Sequence, residues 1–262
     1  MTRRRLDTEL VRRRLVSSRT EAKQAIDAGL VRVEANASPK PSTMVSPQDT
    51  VRLVRPPQPF VSRAGRKLDA AIDAFTIDVQ SKRCLDVGAS TGGFTDCLLQ
   101  RGAMSVVALD VGHGQLHWKI RSDERVAVIE RLNIRDAEPD FVGGPFEVVV
   151  ADLSFISLRT VASALDAMGE ENADWLLLIK PQFEAGRHRV GKGGIVRDSG
   201  VRYDVVVDVI GCYAQRGLGC QGLIVSPIRG AAGNIEYIAW FSRASSTVDD
   251  GQIQSLIEGI DT

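Results

Sequence analysis

The sequence predicts a doubly wound α/β sheet of seven strands, the last one reversed, preceded by a small basic α+β domain at the amino terminus. Three observations carry this. First, the apolar run Cys84-Leu85-Asp86-Val87 meets a glycine turn and then a helix, and the next apolar run ends in an acid, Asp110. Second, strand-like and helix-like periods alternate as far as residue 216, the pattern of parallel strands with crossover helices on both faces. Third, charge is unevenly split. Residues 1–67 hold 15 Lys/Arg against 6 Asp/Glu and residues 68–262 hold 18 against 27, so a net charge of zero conceals a basic front end.

Within residues 1–55, Leu6, Leu10 and Leu15 make a helical stripe with Arg12, Arg13 and Arg14 between them. Ser18-Arg19-Thr20-Glu21 fits a capping box that opens a second helix, with Ala22, Ala25 and Ile26 inward and Gly29 as its stop. Val31 with Val33, and Val51 with Leu53, alternate as short strands. Residues 56–62 include three prolines, which lack amide donors, and read as a linker.

A main domain is expected over 63–243. Its opening helix, Gly65 to Phe75, turns Leu68, Ala71, Ile72 and Phe75 inward. Strands are expected at 83–87, 105–110, 126–130, 147–151 and 175–180, with helices at 93–101, 157–168 and 200–216. The last two strands, 221–226 and 234–241, are joined by Pro227 to Gly233. That connection has no room for a crossover helix, so the pair is antiparallel. Parallel strands closed by a reversed one describe the methyltransferase variant of the Rossmann-like fold. Residues 244–262 read as a polar tail in which a terminal helix is marginal.

Composition narrows the function classes. Hydrophobic content of 44% and charged content of 25% suit a soluble globular protein. Cys84, Cys97, Cys212 and Cys220 show no metal-ligand spacing, so no metal is expected. Neither a secretion signal nor a membrane-spanning apolar stretch is legible, which points to a cytoplasmic protein without a membrane partner. The basic amino-terminal domain is an electrostatic footprint for a polyanion.

Gly88, Gly92 and Gly93 follow the first strand as G-x-x-x-G-G, not as the dinucleotide G-x-G-x-x-G. A cofactor with an amino-acid tail, such as S-adenosylmethionine, needs partners for a zwitterion, and Asp86 and Ser90 can serve its two ends. Asp110, closing the second strand, can accept both ribose hydroxyls, although a strand-end Asp is as often a helix cap. Asn133 is either an adenine neighbour or a turn residue. Strand 147–151 delivers Asp152-Leu153-Ser154-Phe155 to the same edge, and strand 175–180 delivers Lys180. Glu236 interrupts an apolar strand and needs a nearby cation if buried. Lys67, beside Arg63 and Arg66, would by itself be a solvated helix charge.

Six motifs, in order, resemble the TlyA family: Lys40-Pro41-Ser42, Val61-Ser62-Arg63-x-Gly65-x-Lys67-Leu68, the 86–96 glycine turn with Phe94, Asp152-Leu-Ser-Phe-Ile-Ser157, Lys180-Pro-Gln-Phe-Glu184, and an amino-terminal segment similar to the S4 RNA-binding domain. Lys67, Asp152, Lys180 and Glu236 look like the Lys-Asp-Lys-Glu tetrad of FtsJ-class ribose 2′-O-methyltransferases. The resemblance implies S-adenosylmethionine-dependent 2′-O-methylation of cytidine in ribosomal RNA, 16S, 23S or both, on free RNA or ribosomal subunits. It implies Lys180 as general base, Asp152 orienting it and touching the cofactor, and Glu236 holding Lys67. The implied cofactor set is Asp86, Gly88, Ser90, Gly92, Gly93, Phe94, Asp110, Asn133 and Asp152. Arg3, Arg4, Arg5, Arg12, Arg13, Arg14, Arg19, Lys23, Arg63 and Arg66 would grip RNA phosphates. The chain departs from the family pattern at Val33-Glu34-Ala35-Asn36 and at Gln58-Pro59-Phe60-Val61.

Rival readings differ in what they require. A base N-methyltransferase would use Asp152-Leu-Ser-Phe155 as a base-stacking motif, but that motif lacks prolines here. A cytosine C5 enzyme needs a strand-end cysteine, and none of the four fits. A hemolysin-like membrane-active protein needs an insertion element. An RNA-binding scaffold would keep the fold without using the cofactor pocket.

Overall fold

A computed structural model describes residues 3–16, 18–34, 39–54, 59–230 and 232–260. The chain divides into two compact units, Met1–Gln58 and Pro59–Thr262. Ala35 and Asn36, and residues 55–58 of the proline-rich stretch, lie outside the described residues.

The small unit runs β1 (Arg4–Arg5), α1 (Leu6–Arg12), α2 (Arg19–Asp27), β2 (Val31–Val33), β3 (Met44–Val45) and β4 (Val51–Leu53). β2 pairs antiparallel with β4, and β1 with β3. Leu6, Leu10, Ala22, Ile26, Val31 and Val45 form its core. The Ser18 hydroxyl accepts from Glu21 N at 3.1 Å and so opens α2. One expectation needs correcting: α1 stops at Arg12, and Leu15 lies past it in a turn where Arg14 has φ 57°. The β1–β3 pair was not expected, because two-residue strands carry no readable alternation.

The large unit opens with α3 (Gly65–Phe75), then β5 (Arg83–Val87), α4 (Gly93–Gln100), β6 (Ser105–Asp110), α5 (Trp118–Arg121), β7 (Val126–Glu130), α6 (Pro139–Val142) and β8 (Phe146–Ala151). It continues through α7 (Ala162–Ala167), β9 (Gly169–Ile179), α8 (Pro181–Glu184), α9 (Ser199–Ala214), β10 (Gly219–Val225), β11 (Tyr237–Ser242) and α10 (Asp250–Glu258). The seven-stranded sheet has the order β10-β11-β9-β8-β5-β6-β7. β11 is antiparallel to both of its neighbours, and β9, β8, β5, β6 and β7 run parallel to one another.

The period of two along each strand explains the layers. Leu85, Val149, Leu177 and Ala239 pack on one face with Leu165, Val206 and Ile253 from α7, α9 and α10. Cys84, Val148, Leu176 and Ile238 pack on the other with Leu68, Ile72 and Leu98 from α3 and α4. Several boundaries differ from expectation. β11 begins at Tyr237 and not at 234, so Glu236 precedes the strand it was expected to interrupt. β9 begins at Gly169 in a polar stretch that joins β8 across a register shift. The helix expected over 157–168 occupies only Ala162–Ala167, because Ser157 and Leu158 bond elsewhere. The tail after 243 forms α10, opened by an Asp249/Gln252 capping box and anchored by buried Ile253 and Ile257. The carboxyl ends of β5, β6, β8 and β9 meet at one edge, with Glu236 just before β11.

Candidate active site

Four ionisable side chains from distant parts of the chain converge at that edge. Lys67 stands in the first turn of α3, Asp152 follows β8, Lys180 follows β9, and Glu236 precedes β11. Lys67 Nζ lies 2.6 Å from Glu236 Oε2 and 3.9 Å from Asp152 Oδ2. Lys180 Nζ lies 2.5 Å from Asp152 Oδ1 and donates to Ser154 Oγ at 2.9 Å. Lys67, Lys180 and Glu236 are all buried. The order is therefore Glu236–Lys67–Asp152–Lys180, with a carboxylate between the two ammonium groups. A buried ion chain of this kind is costly to desolvate and stays in place only when every member has a partner.

Local structure explains the approach. Even-numbered residues of β9, Leu176 and Leu178, face α3 and α4, so Lys180 leaves the strand toward the α3 face that bears Lys67. Gly230 lies against Glu236; a Cβ there would collide with Oε1. Gln182 Nε2 donates to Glu236 Oε1 at 3.3 Å. The ring of Phe183 lies 5.8 Å from Lys180 Nζ, and Phe155 packs on Phe183 with centroids 5.2 Å apart. Phe155 is 91% exposed at φ 66°, a backbone conformation that a bulky residue keeps only when its surroundings enforce it.

The cluster adjoins two lobes of one cleft. A lobe of 560 Å³ is lined by Arg63, Lys67, Asp86, Phe94, Lys180 and Glu236, among others. A lobe of 490 Å³ is lined by Asp110, Gln115, Asn133 and Leu153. Both share Gly88, Ser90, Asp152, Ser154 and Phe155. Gly88, at φ 82°, brings the chain to within 2.9 Å of the Asp152 carbonyl as measured from a Cβ it lacks, so no other residue fits that close approach.

Asp86 is fully buried at the end of β5. Its Oδ2 accepts from Thr95 N at 2.9 Å and Thr95 Oγ at 2.6 Å, whereas Oδ1 has no partner among the described residues. Burial pushes this carboxyl up to about 7, against the hydrogen bonds from Thr95. Asp110 Oδ2 accepts from Ser90 N at 2.8 Å and Oδ1 from Gly112 N at 2.6 Å, which ties the glycine turn to the β6 end. Ser90 itself has φ 48°. Asn133 caps a short 3₁₀ turn by accepting from Arg135 N at 3.0 Å, yet it also lines the second lobe. Gly92 and Gly93 open α4 and Phe94 is buried.

The expected RNA-gripping residues fall into two groups. Arg12 and Arg13 both clasp Glu9, which is 1% exposed, and Arg13 also donates to the carbonyls of Asp49 and Ser46 at 2.8 and 3.1 Å. Arg5 and Arg19 pair with buried Asp7. Arg3, Arg4, Arg14 and Lys23 are exposed, as are Arg63 and Arg66, and Arg63 lines the first lobe. Sequence reasoning treated all of them as one class of cation; Asp7 and Glu9, acids inside the first helix, were the signal that some are paired within the unit, although Arg5, Arg12 and Arg19 stay exposed. It also missed Ser154, Gln182 and Glu184, which contact the cluster or its supports. Glu184 could have been found from its place at the end of the Lys180 motif.

An FtsJ-like methyltransferase family matches residues 60–243, and an S4 domain matches residues 4–51. The chain is 48% identical to the 16S/23S rRNA (cytidine-2′-O)-methyltransferase TlyA of Mycobacterium tuberculosis, over 97% of this chain and 98% of that one. It is 42% identical to Hemolysin A of Brachyspira hyodysenteriae, over 90% of this chain and 99% of that one. A solved structure from Streptococcus thermophilus is similar over 100% of this chain and 96% of its own, with TM-score 0.78 and 37% identity.

Proposed function

Since the chain belongs to the TlyA family, an S4 domain joined to an FtsJ-like methyltransferase domain, we propose that it methylates the 2′-hydroxyl of cytidines in ribosomal RNA, with S-adenosylmethionine as donor. The observation that carries this reading is the Glu236–Lys67–Asp152–Lys180 chain at the junction of the two lobes. The Mycobacterium tuberculosis relative, named for both 16S and 23S rRNA, makes either RNA a candidate substrate.

The residues present fit the donor. The unpartnered buried Oδ1 of Asp86 offers an acceptor for an ammonium group, and the Gly88 turn lets a ligand approach the backbone. Asp110 stands where it can receive ribose hydroxyls, with Asn133 farther along the same lobe. When bound, the donor supplies a methyl group already activated by its sulfonium. What remains for the protein is alignment and proton removal.

Lys180 would accept the proton of the ribose hydroxyl, freeing the ribose oxygen to take the methyl group that the donor would supply, with the sulfonium leaving as a neutral thioether. Asp152 aims Lys180, and Glu236 keeps Lys67 from swinging away. Exposed cations of the S4 domain hold phosphates and set register without reading bases.

The base N-methyltransferase reading is weaker, because a lysine and not a proline-lined base slot faces the shared floor of the cleft. A lytic role finds no support in the helices: among the described residues none is long and apolar enough to cross a membrane. We therefore place the activity in the cytoplasm, on ribosomal subunits or their RNA. The test is incubation with ribosomal subunits and labelled donor, then alkaline hydrolysis. A 2′-O-methyl protects the adjacent phosphodiester and a base methyl does not. Lys180→Ala should abolish transfer with donor affinity kept; near-normal turnover removes Lys180 as the base.

A further inference from the structure

We propose that Glu184 is a positioning residue that sets the distance between Asp152 and Lys180 by tying the loop after β8 to the short helix after β9. The proposal rests on the methyl-transfer reading above and deepens it.

Glu184 ends α8, which begins one residue after Lys180, and it is 5% exposed. Its Oε2 accepts from Ser157 Oγ at 2.5 Å and its Oε1 accepts from Leu158 N at 2.7 Å. Its carbonyl accepts from Arg159 Nη2 at 2.8 Å, and Arg159 Nε lies 3.5 Å from Oε2. One buried side chain and its own carbonyl thus hold three consecutive loop residues. Arg159 is itself braced by Asp208 on α9 at 3.1 Å.

What this brace supports is the reactive edge. The loop starts with Asp152, continues through Ser154, which accepts from Lys180, and includes Phe155 in its strained conformation against Phe183. α8 has four residues and little stability of its own, since helices of this length gain nothing from cooperativity. Two weak segments therefore carry the two partners of a 2.5 Å contact. A buried carboxylate is expensive unless its lone pairs are used; here the loop spends its hydroxyl, an amide and a guanidinium on it. Nothing in Glu184 reaches the cleft, so it acts through the residues it holds.

The experiment compares Glu184→Ala, Glu184→Gln and Ser157→Ala in the full chain, measuring turnover on ribosomal subunits, donor affinity by calorimetry and melting temperature. Displacement of a reacting group by about 1 Å costs on the order of 100-fold in rate, so Glu184→Ala should lose about that factor in kcat while donor Kd changes by less than about twofold. Glu184→Gln should recover most of it, because its carbonyl can accept from Leu158 N while its amide donates to Ser157 Oγ. Ser157→Ala, lacking one of the bonds, should lose roughly tenfold. Unchanged kcat in Glu184→Ala overturns the proposal, as does donor affinity falling in step with turnover, or a Gln variant as slow as Ala. If Glu184→Ala does not fold, Ser157→Ala decides alone, and unchanged kcat overturns it. Wild-type protein that leaves ribose unmethylated sinks the parent reading instead, which separates the two failures.

Discussion

Replacing Glu236 by alanine tests the buried ion chain directly. The substitution strips Lys67 of a 2.6 Å partner in a site where the lysine side chain is 8% and the glutamate side chain 2% exposed. Breaking a buried pair from one side costs about 3–5 kcal/mol. Asp152 at 3.9 Å still offers Lys67 partial compensation, which argues for the lower end. The hydrogen bond from Gln182 Nε2 is also lost, and that returns about 1 kcal/mol to the cost. For a domain of this size each kcal/mol moves the melting point by about 2–4 °C, so a total of about 4 kcal/mol predicts a fall of roughly 8–16 °C. Urea and thermal melts of Glu236→Ala measure it. The decisive companion is Lys67→Met with Glu236→Leu, which removes both charges; apolar replacement of a buried pair is often neutral or stabilising. That double variant should melt near wild type yet transfer no methyl. A single variant that melts within about 2 °C of wild type would show Lys67 reaching water, and the reasoning would fail.

Two further outcomes follow from the charges. Asp86 sits at about 7 in the folded protein against 3.8 ordinarily, so between those values the native state holds a proton that the unfolded chain has released, and stability falls as pH rises. Asp86→Asn should flatten that decline and stabilise the ligand-free protein above pH 7, while donor affinity becomes weaker and loses its rise through pH 7; parallel urea-melt and calorimetry curves for the two proteins would contradict this. In the small unit, Arg13→Ala removes a strut from buried Glu9 and from the carbonyls of Ser46, Pro47 and Asp49, and should cost about 2 kcal/mol of stability. Arg14→Ala should leave stability alone and lower the salt slope of RNA binding by about one; identical behaviour of both variants in melts and salt titrations would refute the division.

Much of the large sheet was legible because burial on both faces writes itself as apolar runs, and an acid or lysine just beyond such a run has only the carboxyl edge to occupy. That logic located Asp86, Asp110, Asp152 and Lys180. It could not say that β11 enters between β9 and β10, since a hairpin pattern reports that two strands pair and not which one lies inside. It misplaced the start of α7 because Ser157 and Leu158 look helical in isolation and are committed to Glu184 only through tertiary contact. The arginines of the first helices were hardest: Arg12, Arg13 and Arg14 are identical in composition terms, and only the pairing of Arg12 and Arg13 with buried Glu9 sets them apart from Arg14, Arg12 remaining exposed.

The insertion of β11 has a consequence for biosynthesis. Lys67 and Glu236 are 169 residues apart, and the strand that follows Glu236 fills the gap between β9 and β10. While a ribosome is still translating the stretch before residue 237, β9 presents an open row of peptide groups, the kind of edge that recruits other nascent chains. Translational pausing upstream of the hairpin should raise aggregation, and a truncated polypeptide lacking the hairpin would have neither Glu236 nor the two strands that cover the β9 edge.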